Sequence, residues 1–313
     1  MKISAIIPCL NEELNIELAY QHIVSILLHY DDYEIIFIDD GSTDNTLLII
    51  KTLAERNEKV KYISFMRNFG VEAAIRYGYL YASHEWCIHY DADLQWPPEE
   101  THKLTQKADL GYDAVFGIRK NRNDKLYRII GAKAQQFIAR KLLSIEIPKG
   151  ASTFRLVKTS IAKKAIFYPT KTPYFLATIP IITSNYTSVE INHNKRIYGK
   201  SKFGLSKMFN HSCELFFGYS DKMLNFSAIA FVFGSIGFVI ILIISMINPT
   251  QGIMPLVILL CLLSLAHLLS KTISDQYAKY PANSYVYHDT IFVRQSNIES
   301  CIEERVENEI AIH

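Results

Sequence analysis

The sequence predicts an α/β fold, a mostly parallel sheet covered by helices on both faces, followed by a membrane-attached segment. Up to about Ile118, short apolar runs alternate with longer amphipathic ones, which is typical of repeated βαβ units. The second observation is a gap in charge. The chain has 33 basic and 31 acidic side chains among 313 residues, but residues 226–270 contain none of them.

The alternating half supplies five strand candidates and four helix candidates. The strands are Ile3–Ile7, Glu34–Ile38, Val60–Phe65, Trp86–Tyr90 and Ala114–Ile118. The helices are Glu12–Leu28, Asn45–Arg56, Val71–Ala82 and Pro98–Asp109. In such a fold, ligands bind beyond the carboxyl ends of the strands.

The uncharged segment predicts a transmembrane hairpin. Phe226–Ile247 provides 22 residues, about 33 Å of helix, and Ile253–Ser270 provides 18 more after a turn at 248–252. Lysines flank the pair and are absent from the turn, so both termini are expected in the cytoplasm of a bacterial cell, at the inner membrane. The alternative is a pair of buried core helices.

The segments around this hairpin complete the predicted organisation: a globular domain at 1–200, an amphipathic helix at 201–225, the hairpin at 226–270 and a cytoplasmic tail at 271–313. Apolar residues between Leu205 and Met223 recur at helical spacing. This helix either lies in the membrane interface or packs on the globular core, and its position before a spanning helix favours the interface. The tail is assigned no chemistry.

The composition and motif content exclude several classes of protein and of binding site. A net charge of +2 gives no field that would attract nucleic acid. The five cysteines are odd in number and contain no CxxC pair, which indicates neither a disulfide framework nor a zinc site. No GxGxxG or P-loop motif follows the first strand, so phosphates would be bound by metal and side chains instead.

Polar residues follow three of the predicted strands. Asn11 and Glu12 come after the first, Asp39-Asp40 after the second, and Asp91-Ala92-Asp93 after the fourth. Carboxylates at this edge can accept ribose or base hydrogen bonds, and a closely spaced pair can hold a divalent cation on a diphosphate. The pattern predicts a nucleotide diphosphate site.

Taken alone, Asp39-Asp40-Gly41 is equally an ordinary turn, with a helix cap at Ser42 or Asp44. Candidate phosphate-binding cations are Arg67, Arg119, Arg155, Arg196, Lys200 and Lys202.

Six motifs in order resemble the family 2 glycosyltransferases of GT-A fold, in the polyprenyl-phosphate branch: IIPCLNEE, IDDGSTD, RNFGVEAAI, DADLQWPPE, FRL and RIYGKSKF. The resemblance implies that the nucleotide lies among Pro8, Asn11, Glu12, Asp39 and Asp40. It implies that Mg²⁺ or Mn²⁺ is bound by Asp91, Asp93 and Gln95. It places Arg119, Arg155, Arg196 and Lys202 at the phosphates of donor and acceptor, with Asp93, Asp91, Arg119 and Arg155 as the catalytic set. Members of this branch often form tetramers, so a homo-oligomer is expected.

One departure bears on the acceptor. Relatives usually carry an aspartate just before, or a few residues upstream of, the arginine in the FRL-like segment, whereas this chain has no carboxylate between Glu146 and Glu190. An alcohol acceptor needs a general base, but a phosphate monoester is largely dianionic at pH 7. The hypothesis is therefore inverting, metal-dependent transfer of a sugar from a nucleotide diphosphate to a polyprenyl phosphate. The alternatives are elongation of a glycan on a lipid diphosphate and an inactive, membrane-tethered subunit that binds sugar nucleotides.

Overall fold

The computed structural model describes residues 1–120, 131, 134–148, 150–168, 174–194 and 293–298, together with isolated positions between 212 and 272. The strands are β1 Lys2–Cys9, β2 Asp32–Asp39, β3 Val60–Phe65, β4 Trp86–His89, β5 Ala114–Arg119, β6 Ala151–Lys158, β7 Tyr186–Ile191 and β8 Val293–Ser296. The helices are α1 Ile16–Leu27, α2 Thr46–Arg56, α3 Val71–Tyr81, α4 Thr101–Asp109, α5 Thr159–Ile166 and α6 Phe175–Ile182.

The strands form one mixed sheet in the order β7-β5-β6-β4-β1-β2-β3-β8. All five predicted strands are present, and β1 to β4 pair in parallel as expected. The sequence pattern missed β6, which runs antiparallel between β4 and β5. Because β6 enters the centre of the sheet from the opposite direction, it carries Thr153 and Arg155 to the carboxyl end of β4.

Each face of the sheet has its own apolar layer. Along β1, Ile3, Ala5 and Ile7 pack with α1, α2 and α4, whereas Ile6 packs with the layer that contains α3, α5 and α6. This alternation follows from the two-residue period of a strand. Because both faces are covered, only the strand ends remain open for a ligand.

Two helices begin later than the sequence predicts. Helix α1 starts at Ile16 rather than Glu12, because residues 12–15 form a turn in which the Asn15 N–H donates to the Glu12 carbonyl over 2.8 Å. The Glu12 N–H donates in turn to Thr46 Oγ1 over 2.8 Å. Helix α4 starts at Thr101, after a 3₁₀ turn at Pro98–Glu100.

The described part of the predicted amphipathic helix packs on the globular core. Leu215 is 2% exposed, and Phe216 and Tyr219 contact the layer that contains α3 and α6. This face of the helix therefore packs on the globular core, which was the alternative to a position in the membrane interface.

The two predicted membrane helices fall mostly outside the described residues. Within the part of the chain that the structure describes, no helix is both long enough and apolar enough to cross a membrane. The described apolar side chains at 232, 236, 239, 240, 243, 260, 262, 265 and 268 are each 45% exposed or more. A Cβ added to Gly234 would lie 2.9 Å from Leu263 Cδ2, so the two apolar runs are in contact at this point.

The tail contributes an unpredicted edge strand. β8 pairs antiparallel with β3, and Asn297 extends the pairing by accepting from the Tyr62 N–H over 2.7 Å and donating to the Val60 carbonyl over 3.1 Å. Part of the segment that was assigned no chemistry therefore completes the sheet beyond β3, an edge that would otherwise expose unpaired backbone groups.

Candidate functional site

Asp91 and Asp93 sit in a tight turn directly beyond β4. The Gln95 N–H donates to Asp93 Oδ1 over 3.0 Å, and the Leu94 N–H donates to the Asp91 carbonyl over 3.3 Å. Leu94 has a φ of 55°, in the left-handed region that leucine rarely occupies. Such local strain is concentrated at functional sites, and here it sets the direction of two carboxylates.

Asp91 is held by two side-chain donors. The Thr153 hydroxyl donates to Asp91 Oδ2 over 3.1 Å, and the Trp96 indole also hydrogen-bonds to this carboxylate. Burial, followed by repulsion from Asp93, raises the pKa of Asp91 to about 6. The two carboxylates are therefore close enough to repel each other, and a cation between them would relieve that repulsion.

The side-chain oxygens of Asp91, Asp93 and Gln95 are suitable ligands for a divalent cation that also binds a diphosphate. Mg²⁺ is commonly bound by one or two carboxylates and completed by phosphate oxygens, and Mn²⁺ also favours oxygen ligands. Among the described residues, no group of three or more His, Cys, Asp or Glu side chains is arranged to hold a metal alone. Asp91, Asp93 and the amide of Gln95 would thus hold part of a coordination shell that the ligand completes.

A neutral histidine lies behind Asp91. His89 is fully buried, and burial, together with the charge of Arg155, lowers its pKa to about 3. Its Nδ1–H donates to the Thr153 carbonyl over 2.8 Å, and Nε2 lies 3.5 Å from Asp91 Oδ1. The His89 imidazole therefore holds the backbone of Thr153, and the hydroxyl of Thr153 holds the carboxylate of Asp91.

Arg155 is inside the protein. It is 0% exposed, its Nε donates to Tyr79 Oη over 2.8 Å, and its Nη1 lies 3.4 Å from the Thr153 carbonyl. Its Nη2 has no hydrogen-bond partner among the described residues. The resemblance implies that Arg155 faces phosphate; the structure places it below the Asp91 turn, in contact with the residue that holds Asp91.

Arg119 ends β5 on the other side of this turn. Its guanidinium lies 5.3 Å from the Trp96 ring centroid, and the Trp96 ring is stacked at 4° on Phe154. The Asn194 N–H donates to the Gln95 carbonyl over 2.9 Å, which ties the end of β7 to the same turn. Arg119 therefore lies against the ring of Trp96, whose indole hydrogen-bonds to Asp91.

The aspartates after β2 bind backbone groups. Asp39 is 0% exposed and accepts from the Ser42 N–H over 3.0 Å and from Ser64 Oγ over 2.6 Å. Asp40 accepts from the Phe69 N–H over 2.6 Å and from the Gly70 N–H over 2.9 Å. The bond from Ser42 to Asp39 matches the ordinary-turn alternative, although the N-cap of α2 is Asn45 rather than Ser42 or Asp44. The Asp40 bonds instead join the loop after β2 to the loop after β3. Burial raises the pKa of Asp40 to about 6.

The loop after β1 lies against the loop after β2. Asn11, at a φ of 51°, accepts from the Thr43 N–H over 2.8 Å, and its own N–H donates to Ser42 Oγ over 2.9 Å. Asn11 is exposed, whereas Pro8 and Glu12 are half-buried. The structure thus brings the predicted nucleotide residues to one edge. Arg196, Lys200 and Lys202 lie outside the described residues.

Sequence reasoning missed Thr153, His89 and the role of Trp96. For His89 a signal was available, because residues two apart on an extended chain share a face, so His89 and Asp91 are expected together. Thr153 could not be predicted in the same way, because its contact with Asp91 depends on the unpredicted pairing of β6 with β4.

Comparisons with known proteins agree with this architecture. The model of the family described as "Glycosyl transferase family 2" matches residues 4–166. The putative glycosyltransferase CsbB of Bacillus subtilis is 33% identical over 224 residues, which cover 71% of this chain and 68% of that protein. The undecaprenyl-phosphate 4-deoxy-4-formamido-L-arabinose transferase of Edwardsiella ictaluri is 29% identical over 66% of this chain and 65% of its own length.

A solved structure shares the fold. Glucosyl-3-phosphoglycerate synthase from Mycobacterium tuberculosis, in complex with Mn²⁺, UDP-glucose and phosphoglyceric acid, superposes with a TM-score of 0.50 at 18% identity. The match covers 68% of this chain and 78% of that one. The sheet described above is therefore of the GT-A type.

Proposed function

Because the chain belongs to glycosyl transferase family 2, and is therefore a glycosyltransferase, we propose that it transfers a sugar from a nucleotide diphosphate to a polyprenyl phosphate, with inversion at the anomeric carbon. The undecaprenyl-phosphate transferase among its relatives supports this acceptor class. The donor occupies the edge formed by the ends of β1, β2 and β4.

The acidic turn beyond β4 acts on the leaving group. A bound Mg²⁺ or Mn²⁺ would neutralise the charge that develops on the departing diphosphate. Asp93 is the principal ligand, because its Oδ1 is fixed by the Gln95 N–H, and Asp91 and Gln95 assist it. The nucleotide lies against Pro8, Asn11 and Glu12, on a floor shaped by Asp39 and Asp40.

The observation that carries the acceptor proposal is the residue at position 153. The chain has no carboxylate between Glu146 and Glu190, and Thr153, directly before the FRL motif, is a threonine whose hydroxyl donates to Asp91 Oδ2. A hydroxyl in that bond does not accept a proton from an alcohol. A phosphate monoester, with a second pKa of about 6, needs no base at pH 7. It needs cations to approach a second anion, and Arg119, Arg196 and Lys202 are the candidates.

The acceptor is a lipid, so the site must operate beside a membrane. We propose that residues 226–270 form a transmembrane hairpin at the bacterial cytoplasmic membrane, with the globular domain and both termini in the cytoplasm. Two observations support it: the exposed apolar side chains at the described positions of this segment, and the contact between Gly234 and Leu263. Apolar side chains that are exposed along two contacting helical runs require a cover, and lipid provides one.

The proposal is tested by turnover of the detergent-purified, full-length protein. A panel of nucleotide sugars is presented with undecaprenyl phosphate, with a lipid-diphosphate glycan, or with no acceptor, in Mg²⁺, Mn²⁺ or EDTA. Sugar on the polyprenyl phosphate, lost with EDTA, is the expected result. Product only on the lipid-linked glycan would instead establish elongation, and nucleotide-sugar binding without product would establish an inactive binding subunit. Mass photometry of the same sample tests the expected tetramer.

A further inference from the structure

Helix α6 begins with hydrogen bonds supplied by other parts of the chain. Tyr174 occupies its N-cap position, and no side chain of the cap makes the usual bond. The Tyr174 N–H instead donates to Tyr219 Oη over 2.7 Å, and the Phe175 N–H donates to Glu72 Oε2 over 3.2 Å. Because the first N–H groups of a helix have no partner within it, the start of α6 depends on Tyr219 and Glu72.

Tyr219 belongs to the segment directly before the uncharged stretch that starts at Phe226. Its hydroxyl has three partners in the first turn of α6: the Tyr174 N–H, the Tyr174 carbonyl at 3.1 Å and Thr178 Oγ1 at 2.5 Å. This hydroxyl, together with Glu72, therefore determines where α6 begins.

The first residue of α6 packs on the buried arginine. The Phe175 ring meets the Tyr79 ring edge-on, with centroids 5.0 Å apart. The Arg155 guanidinium lies 5.9 Å from the Phe175 centroid and 5.8 Å from that of Tyr79, at the outer limit of a cation–π contact. A fully buried guanidinium with one unsatisfied nitrogen is held by these neighbours, so a shift of α6 changes its surroundings.

Arg155 is adjacent to the residue that holds the catalytic carboxylate. Its Nη1 and His89 Nδ1 both point to the Thr153 carbonyl, at 3.4 and 2.8 Å. The Thr153 hydroxyl then donates to Asp91 Oδ2 over 3.1 Å. A continuous series of packed and hydrogen-bonded groups thus connects Tyr219 with Asp91, and such networks can carry energetic coupling between two places in a protein.

We propose that Tyr219 is a positioning residue, which couples the seating of the membrane-proximal segment on the globular domain to the placement of Asp91 through α6, Arg155 and Thr153. The catalytic meaning of Asp91 rests on the function proposed above. The inference adds that transfer is efficient only when this segment is in place, so the reactive site and the lipid-facing part of the chain are set together.

The test substitution is Tyr219→Phe in the full-length protein. It keeps the ring that packs on the core and removes the hydroxyl with its three partners. We expect kcat to fall about tenfold and the apparent constant for Mn²⁺ to rise about fivefold, with the KM for the donor within about twofold of the original. The matched control is Tyr20→Phe, which removes a hydroxyl that accepts from Asn57 Nδ2 over 3.0 Å beyond the opposite face of the sheet. The control should leave all three constants unchanged.

A second readout is independent of activity. Trp96 hydrogen-bonds to Asp91, and the only other tryptophan is Trp86. In protein labelled with 5-fluorotryptophan, Tyr219→Phe should shift or broaden the ¹⁹F resonance of Trp96 and leave that of Trp86 in place. The Trp96 resonance is assigned with Trp96→Phe.

The outcomes separate the two proposals. If the Trp96 resonance and the Mn²⁺ constant stay at their original values in a folded Tyr219→Phe protein, the coupling is overturned, even where stability falls. If Tyr219→Phe does not fold, Thr178→Val removes one partner of the same hydroxyl and should also shift or broaden the Trp96 resonance; an unchanged resonance overturns the coupling. If the original protein shows no glycosyl transfer, the proposed function fails, while the ¹⁹F measurement still decides the coupling.

Discussion

Thr153 donates a hydrogen bond to Asp91 from a stretch of chain that has no carboxylate between Glu146 and Glu190. The two residues come from strands that run in opposite directions, β6 and the end of β4, so their contact depends on the central antiparallel pairing of the sheet. The Thr153 hydroxyl thus orients Asp91, one of the carboxylates proposed above as metal ligands.

Replacing Thr153 measures the value of this contact. Thr153→Val removes the donor at nearly constant volume and should lower kcat about fivefold, the equivalent of about 1 kcal/mol for one hydrogen bond. Thr153→Ser keeps the hydroxyl and should retain most of the activity. Steady-state kinetics with saturating donor checks both; equal losses in the two variants would contradict the orienting role.

Asp93→Asn tests the principal ligand without disturbing the turn. Asparagine keeps the oxygen that accepts from the Gln95 N–H but lacks the charge that a cation needs. We expect transfer to fall about 1000-fold or more, because electrostatic stabilisation by a metal is worth several kcal/mol. Asp109→Asn, on the exposed end of α4, is the matched control. Substantial activity in Asp93→Asn would refute the assignment.

The pH dependence of stability should include a contribution from Asp40. Burial raises its pKa in the folded protein to about 6, above the usual 3.8 of an aspartate, so between pH 4 and 6 the folded state keeps a proton that the unfolded state loses. Stability from this group is present below about pH 4 and is lost as the pH rises through 6, by up to about 3 kcal/mol. Asp40→Asn should flatten the dependence of the thermal midpoint on pH between 4 and 6. An unchanged slope would show that the pKa of Asp40 is not raised in the folded protein.

Gly41 tests the contact between the loops after β2 and β3. At a φ of 72°, an added Cβ would lie 2.4 Å from the Arg67 carbonyl carbon. Gly111 also has a positive φ, 97°, but no atom within 4 Å of the added Cβ. Gly41→Ala should therefore destabilise the protein by more than about 2 kcal/mol and Gly111→Ala by about 1 kcal/mol, measured by denaturant unfolding. Similar losses would mean that only backbone strain matters at Gly41.

Asn297→Ala probes the attachment of β8. The asparagine side chain replaces two backbone hydrogen bonds on the edge of β3, so its removal should cost about 1 to 3 kcal/mol and increase amide exchange at Tyr62. The control is Gln295→Ala, because Gln295 is exposed on the same strand. If exchange at Tyr62 stays at its original rate, the strand does not depend on Asn297.

The sequence was sufficient for the regular part of the fold. Apolar strands separated by amphipathic helices predicted β1 to β5, because the strands and helices follow from local periodicity. The acids that follow these strands could then be expected at one edge of the sheet, because parallel strands end on the same side. β6, β7 and β8 were missed because each pairs with a strand far away in the chain, and only the assembled sheet reveals the partner. Arg155 shows the same limit. Its charge suggested a phosphate, whereas its burial beneath Thr153 depends on α3 and α6, which local pattern does not place.

The return of the tail to the sheet constrains how the chain can meet a bilayer. β7 and β8 belong to a single sheet, so residues 192 and 293 are anchored to the same body on the same side of any lipid layer. Each passage of the intervening stretch across such a layer must then be matched by a passage back, and the number of crossings is even. An insertion with a single span would place β8 and β3 on opposite sides of the membrane and prevent their pairing. The pairing of β8 with β3 is therefore compatible only with an even number of spans.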